Sequence, residues 1–136
     1  MATLLAHITV RPGAEADFES IARTLYERTH ATESGVRHYE YWRGSEPRTY
    51  YTLLAFDDHR AFVAHQASDH HEAASPQLGP VIERIRLEWV DPIDGASPLE
   101  PTEMQPAPVD ADDLTADYTE RYAARIADWW SPQRER

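Results

Sequence analysis

The spacing of apolar residues divides residues 1–90 into alternating strands and helices. Residues 3–10 alternate apolar and polar side chains, which predicts a strand that Pro12-Gly13 terminates. Within Ala14–Thr32 the apolar residues recur every three or four positions, and acidic residues occupy the first turns. This pattern predicts an amphipathic helix, which Ser34-Gly35 ends.

The next part of the chain carries a hairpin signal. Val36–Arg43 and Arg48–Phe56 are rich in tyrosine, threonine and valine, and the turn-forming sequence Gly44–Pro47 separates them. These two segments are therefore predicted to form antiparallel strands joined by a short loop.

A second helix and a last strand follow the hairpin. Asp58 is a suitable N-cap, because its carboxylate can accept hydrogen bonds from the free amides of the first helical turn. Helical spacing continues to about His70, and a further short helical turn is predicted over 76–82. Alternation from Ile85 to Trp89 predicts the final strand.

The predicted order is β-α-β-β-α-β, the α+β, ferredoxin-like arrangement of a four-stranded antiparallel sheet with two helices on one face. The third strand is apolar on both faces, with Tyr51 and Leu53 on one and Leu54 and Phe56 on the other. Two helices cover only one face, so the other face needs a cover, and a second copy of the sheet is the simplest one. We therefore expect a homodimer packed sheet to sheet.

The chain changes character after the last strand, which predicts a ferredoxin-fold domain at 1–91 and a C-terminal segment at 92–136. Residues 91–110 contain five prolines and no periodicity, and this composition predicts an extended arm. Helical spacing returns over 112–130, which includes two tyrosines and the Trp129-Trp130 pair. Because such aromatic surface is costly to leave in water, this helix is expected to dock on the body or on the partner subunit.

The composition excludes several classes of protein. The 136-residue chain has no cysteine and no lysine, which removes disulfides, thiol nucleophiles, cysteine-ligated metals and Schiff-base lysines. With 24 acidic residues against 13 arginines the net charge is −11, which disfavours nucleic acid and anionic membrane as partners. No apolar run reaches the length of a membrane span, and no basic region precedes the first apolar residues, so a cytoplasmic location is expected.

The second helix carries a histidine in an unusual position. Ala61, Phe62, His65 and Ser68 share one helical stripe, which is expected to point into the protein. An imidazole there is either a packing residue bonded to a backbone carbonyl or the polar group of a pocket. From the residues alone both interpretations stay open.

Three short motifs occur in order, each on the expected element. They are Val10-Arg11-Pro12-Gly13 at the end of the first strand, Gly35–Tyr39 at the start of the second, and Phe56–His70 across the second helix. They resemble the V-x-P-G, G-x-x-x-Y and aromatic-x-D-x-x-A-x-x-x-H-x-x-S-x-H motifs of the antibiotic biosynthesis monooxygenase family. The resemblance covers residues 1–90 and says nothing about residues 91–136.

This resemblance implies a dimeric α+β barrel and a small enzyme that oxygenates a quinol or polycyclic aromatic substrate. Such an enzyme uses O₂ itself and needs no flavin, metal or haem. The resemblance further implies that His65 is the catalytic base or hydrogen-bond donor. Tyr39, Trp42, Phe56 and Phe62 are expected to bind the substrate.

Other interpretations stay open. The haem-degrading branch of the family is disfavoured, because Ala6 stands where that branch has an asparagine and no histidine lies near Ser75. His70 and His71 lie beside acidic residues near the predicted helix end and are expected to be solvated. With His65 they lack the i, i+4 spacing of helical zinc ligands, so no metal site is predicted. The same scaffold would also suit a non-catalytic protein that binds or senses a small ligand, or an isomerase or cyclase.

Overall fold

The structure is a computed structural model and describes residues 1–135. These residues contain four strands and five helices. They are β1 (Ala2–Val10), α1 (Glu15–Thr32), β2 (Val36–Arg43), β3 (Thr49–Phe56), α2 (His59–Gln66), α3 (Asp69–Leu78), β4 (Ile82–Trp89), α4 (Asp113–Arg121) and α5 (Trp130–Arg134). Within these residues no helix combines the length and the apolar character that crossing a bilayer requires.

The four strands form one antiparallel sheet in the order β2-β3-β1-β4. β1 lies inside the sheet, with Leu4 opposite both Leu54 of β3 and Trp89 of β4. This strand order, with helices between β1 and β2 and between β3 and β4, confirms the predicted α+β, ferredoxin-like class.

The core lies between one face of the sheet and the helices α1, α2 and α3. Leu4, Ala6 and Ile8 of β1 are buried there, in one cluster with Phe18 of α1 and Phe62 of α2. Alternate residues of β1 therefore form the floor of the core, as the period-two pattern predicted.

The opposite face of the sheet stays partly exposed in the single chain. Leu5 of β1 lies opposite Leu53 of β3, and His7 lies opposite Tyr51, which is 40% exposed. The Nε2 of His7 also lies 2.9 Å from a carboxylate oxygen of Glu88 on β4. This face thus combines apolar side chains with charged groups.

The single helix predicted from Asp58 to His70 is two helices in the structure. Asp58 does cap α2, but α2 ends at Gln66 and Ser68 caps α3 with an extended backbone, φ −65° and ψ 153°. The Ser68 hydroxyl accepts from the His71 amide at 3.3 Å and donates to the His65 carbonyl at 2.7 Å, which stabilises the break. The short helical turn predicted over 76–82 is also wrong in its bounds, because α3 continues to Leu78 and β4 begins at Ile82.

The C-terminal helix predicted over 112–130 is interrupted. α4 ends at Arg121, and the carbonyl of the next residue, Tyr122, accepts a hydrogen bond from His59 Nε2 at 2.9 Å. Because that carbonyl is bonded to a side chain of α2, it does not accept a hydrogen bond within α4. Irregular structure follows until α5 begins at Trp130. Tyr118 and Tyr122 both pack against the core of the same chain.

Candidate functional site

A cavity of about 350 Å³ lies between the sheet and the helices. Its sheet side is mainly apolar, with Ala6 and Ile8 of β1, Leu54 of β3 and Leu87 of β4. The polar and aromatic residues that line it are Phe18, Tyr39, Tyr41, Thr52, Phe62, His65, Gln66, His71 and Tyr122. An apolar cavity with a few convergent polar groups is the usual form of a small-molecule site.

His65 lines this cavity, and one of its ring nitrogens has no hydrogen-bond partner among the described residues. The residue is fully buried, and its ring packs 4.8 Å from the Tyr39 ring and 5.1 Å from the Phe56 ring, measured between centroids. Its Nε2 is buried and has no hydrogen-bond partner among the described residues. The helical stripe therefore does point inward, and the ring is not bonded to a backbone carbonyl.

Glu33 fixes the orientation of the His65 ring. This residue caps the C-terminus of α1, and its Oε2 lies 2.9 Å from His65 Nδ1. Because an ionised carboxylate only accepts hydrogen bonds, the Nδ1 carries the proton. In a neutral His65 ring the lone pair is then on Nε2.

A second histidine donates to the same carboxylate. The Nε2 of His70 lies 2.7 Å from Glu33 Oε2 and 3.2 Å from the hydroxyls of Thr29 and Ser68. Burial raises the pKa of Glu33, but the hydrogen bonds and charges of the two histidines outweigh burial, and its pKa lies below the ordinary value. Glu33 is therefore a carboxylate at neutral pH.

His71 lies on the other side of His65, with 5.0 Å between the ring centroids. Burial and the nearby charges of His65 and His70 lower the pKa of His71 to about 4, so its ring is neutral at pH 7. Its Nδ1 is buried and has no hydrogen-bond partner within residues 1–135, and the same holds for the Thr52 hydroxyl. The expectation that His70 and His71 are solvated surface residues is therefore wrong, because α3 turns both rings toward His65.

Two tyrosines of β2 place hydroxyl groups near the cavity. The hydroxyls of Tyr39 and Tyr41 are 2.7 Å apart. Burial raises the pKa of Tyr41 to about 12, and burial together with Tyr41 raises the pKa of Tyr39 well above its ordinary value. Both remain phenols at neutral pH, and the hydroxyl that accepts within the pair keeps a proton that it can donate to a ligand.

The residues predicted to bind substrate occupy three different places. Tyr39 and Phe62 line the cavity together with His65. Phe56 is fully buried and packs against the rings of Phe62 and His65. Trp42 is 58% exposed and lies in a separate groove between α1 and the β2 edge.

Sequence reasoning missed Glu33 as part of the site. Glu33 directly precedes the Ser34-Gly35 break, and its partner His65 is 32 positions away, so no local periodicity links them. His71 and Tyr41 were missed as lining residues for the same reason. Only the fold brings these side chains together.

Glu33, His65 and His70 also offer ligand atoms within 4.8 Å of one another, which is close enough to hold a divalent ion. In the structure both imidazoles already lie at hydrogen-bond distance from the carboxylate, and these bonds account for the arrangement. We therefore treat the three residues as a hydrogen-bonded triad.

The fold and the cavity define a class of small α+β protein, in which a ferredoxin-like sheet and its helices enclose a ligand site beside a buried histidine. The sequence model of the family described as antibiotic biosynthesis monooxygenase matches residues 1–77, more than half of the chain. The chain therefore belongs to the antibiotic biosynthesis monooxygenase family, as its motifs indicated.

Solved structures share this fold. A candidate antibiotic biosynthesis monooxygenase from Caulobacter crescentus is 25% identical, with a TM-score of 0.65 over 68% of this chain and 90% of that chain. Rv0793 from Mycobacterium tuberculosis is 21% identical, with a TM-score of 0.64 over 71% and 98% of the two chains. A candidate monooxygenase of the same name from Bacteroides thetaiotaomicron is 17% identical, with a TM-score of 0.66 over 73% and 95%. No curated protein matches the chain significantly.

Proposed function

We propose that the cavity beside His65 binds a quinol or polycyclic aromatic substrate and that the protein oxygenates it with O₂, without a bound cofactor. The observation that carries this proposal is the unpaired, buried Nε2 of His65, a residue that lines a mainly apolar cavity. An orphaned polar atom of this kind is costly in a purely structural role, because it has lost its water and gained no partner. A substrate hydroxyl would supply the missing hydrogen bond.

The first step is removal of a proton from the bound substrate. His65 Nε2 accepts the proton of the substrate hydroxyl or of an acidic ring CH₂ group, and the ring becomes an imidazolium. Glu33 is ionised and lies 2.9 Å from Nδ1, so its negative charge stabilises that imidazolium. The Tyr39–Tyr41 pair supports the substrate anion, because the hydroxyl that accepts within the pair keeps its own proton for the substrate oxygen.

The second step is the reaction of the anion with O₂. An electron-rich aromatic anion can pass one electron to O₂, and the resulting radical and superoxide combine into a peroxide anion at the ring carbon. The His65 imidazolium returns its proton to that anion, which gives the hydroperoxide. Loss of water from that hydroperoxide leaves a carbonyl group. One oxygen atom enters the substrate, the other leaves as water, and the substrate supplies all the electrons. The protein binds the aromatic ring, takes up the proton and excludes bulk water.

Oxygen uptake tests this proposal directly. We expect the full-length protein to consume O₂ with at least one member of a panel of anthrone, naphthohydroquinone and benzene-1,4-diol. The variant His65→Gln is expected to lose about 100-fold in turnover while its circular dichroism spectrum stays native. His38→Gln, which changes a half-buried histidine on β2 outside the cavity, is the matched control and keeps full turnover.

The outcomes separate the oxygenase from the other functions on this scaffold. Tight binding of the panel without O₂ consumption contradicts the oxygenase and favours a binding or sensing protein. Conversion of a ligand without O₂ consumption favours an isomerase or cyclase. An unfolded His65→Gln variant would instead support a purely structural role for this histidine.

We also propose that the protein acts as a homodimer, with two sheets packed on their partly exposed faces. The apolar side chains on that face, including Leu5 and Leu53, support this proposal, since a partner sheet would remove them from water.

A further inference from the structure

The segment of the chain that follows β4 forms part of the wall of the cavity. Tyr122, which follows α4, is one of the lining residues. The family match ends at residue 77, and the three structures compared above leave more than a quarter of this chain uncovered. Tyr122 therefore brings to the site a side chain from outside the matched region.

The chain between β4 and α4 is held in place by specific contacts. Thr102 is fully buried, and its hydroxyl donates to the Val90 carbonyl at 2.7 Å and accepts from the Thr3 amide at 3.3 Å. Further along, the Arg60 side chain of α2 donates to the Pro106 carbonyl at 3.1 Å. These contacts fix the path that delivers α4 to the helices of the core.

α4 is then anchored to both α2 and α3. The Tyr118 hydroxyl donates to Glu72 of α3 at 2.6 Å. His59 of α2 is fully buried and donates through Nε2 to the Tyr122 carbonyl at 2.9 Å. Because the second anchor uses a backbone carbonyl, it does not depend on the side chain of Tyr122.

The side of the cavity beneath β4 is partly open to solvent. β4 is an edge strand, and its cavity-lining residue Ile85 is 52% exposed. The Tyr122 ring lies 6.1 Å from the Phe62 ring, which in turn lies 5.3 Å from the ring of Trp89 on β4. This aromatic row places Tyr122 at the β4 side of the cavity.

We propose that Tyr122 is a specificity-determining residue, which closes the β4 side of the cavity and restricts the site to compact aromatic ligands. The inference rests on the proposal that this cavity is the substrate site. Its volume of about 350 Å³ is near the lower end of the roughly 300–1,000 Å³ that ligand pockets span. A naphthol-sized molecule is therefore the expected fit, and a third fused ring would have to displace Tyr122.

Calorimetric binding of two phenols to the full chain, without O₂, tests this inference. The probes are 1-naphthol, with two fused rings, and 9-phenanthrol, with three. We expect the wild-type protein to prefer 1-naphthol, and Tyr122→Ala to shift the affinity ratio toward 9-phenanthrol by about tenfold. Tyr122→Phe restores the ring and should keep the wild-type ratio. Tyr26→Ala is the matched control, because it removes an exposed tyrosine of α1 that does not line the cavity.

Several outcomes would overturn the inference. They are an unchanged ratio in natively folded Tyr122→Ala, an equal shift in Tyr26→Ala, or a wild-type protein that binds neither phenol. If Tyr122→Ala does not fold, Tyr122→Leu decides, since it keeps an apolar contact with Phe62 but is shorter. Oxygen uptake is scored separately: size selection without O₂ consumption keeps this inference and rejects the oxygenase. Consumption of O₂ with no change of the affinity ratio in Tyr122→Ala keeps the oxygenase and rejects this inference.

Discussion

Glu33 is the residue on which the chemistry of His65 depends most closely. Its carboxylate is the hydrogen-bond partner of His65 Nδ1, so it sets the ring tautomer and supplies the negative charge that an imidazolium needs. Glu33→Gln keeps the shape of the side chain but removes the charge. We expect about a 100-fold loss of turnover with any substrate that the wild-type protein oxygenates, with a native circular dichroism spectrum.

The control for this substitution is Glu27→Gln, which removes an equal charge from an exposed position on the same helix. Binding of 1-naphthol should persist in both variants, because the apolar walls of the cavity are unchanged. Equal turnover in Glu33→Gln and the wild-type protein would show that the carboxylate does not assist His65.

The pKa of His71 makes a second prediction, about stability. Burial lowers this pKa from 6.5 to about 4 in the folded chain. A folded state that resists protonation is stabilised above pH 6.5, and the stabilisation is lost as the pH falls from 6.5 toward 4. The loss amounts to about 3 kcal/mol in the free energy of unfolding.

Urea denaturation at pH 7, 6 and 5, at one protein concentration, measures this dependence. His71→Leu cannot be protonated, so its free energy of unfolding should fall less between pH 7 and pH 5 than that of the wild-type protein. Gln77→Leu removes a polar side chain that does not titrate, at an exposed position of the same helix, and should leave the dependence unchanged. Identical pH dependence in His71→Leu and the wild-type protein would contradict the low pKa.

The sequence predicted the buried position of His65 but not the residues that contact its ring. Its place on the buried stripe follows from helical spacing counted from the Asp58 cap, which the sequence contains. The contact with Glu33 depends on how the end of α1 meets α2, and the positions of His70 and His71 depend on where α3 begins. These are tertiary contacts, and the spacing of apolar residues along the sequence does not predict them.

At the level of elements, the break between α2 and α3 positions the histidines. Ser68 makes that break, because its hydroxyl caps α3 and also bonds the His65 carbonyl. Ser68→Ala should therefore lower the free energy of unfolding by about 1 kcal/mol, which corresponds to about 3 °C in melting temperature. Differential scanning fluorimetry measures this shift. Ser75→Ala, at an exposed site within α3, should change the melting temperature by much less; an equal change in both would contradict the capping role.

The strands were predicted more accurately than the helix ends. β1 and the second half of β4 show a two-residue repeat of apolar and polar residues, and the composition of β2 and β3 with the turn between them indicated the hairpin. The helix ends depend on single hydrogen bonds instead. The Tyr122 carbonyl accepts a hydrogen bond from His59, which is 63 residues away in the sequence. The helical spacing of apolar residues continues to Trp130, so the sequence pattern does not indicate this interruption of the helix.

At the level of the whole molecule, the sheet has one face that its own helices fill and another that carries Leu5, Leu53 and Tyr51. The first face holds the cavity and its triad, and the C-terminal segment adds Tyr122 to that side. A partner sheet on the second face would leave the cavity intact, so dimerisation and substrate binding can be disturbed separately.

A substitution of Leu53 can disturb the dimer without changing the cavity, because Leu53 lies on β3 opposite Leu5 and does not line the cavity. We expect the wild-type protein to sediment as a dimer at micromolar concentration in analytical ultracentrifugation. Leu53→Arg would bring two like charges close together across the paired sheets and should shift the protein toward monomers. Val109→Arg adds the same charge at an exposed position of the C-terminal segment and should leave the dimer unchanged. A wild-type protein that is monomeric at micromolar concentration would contradict the sheet-to-sheet dimer, whatever the variants do.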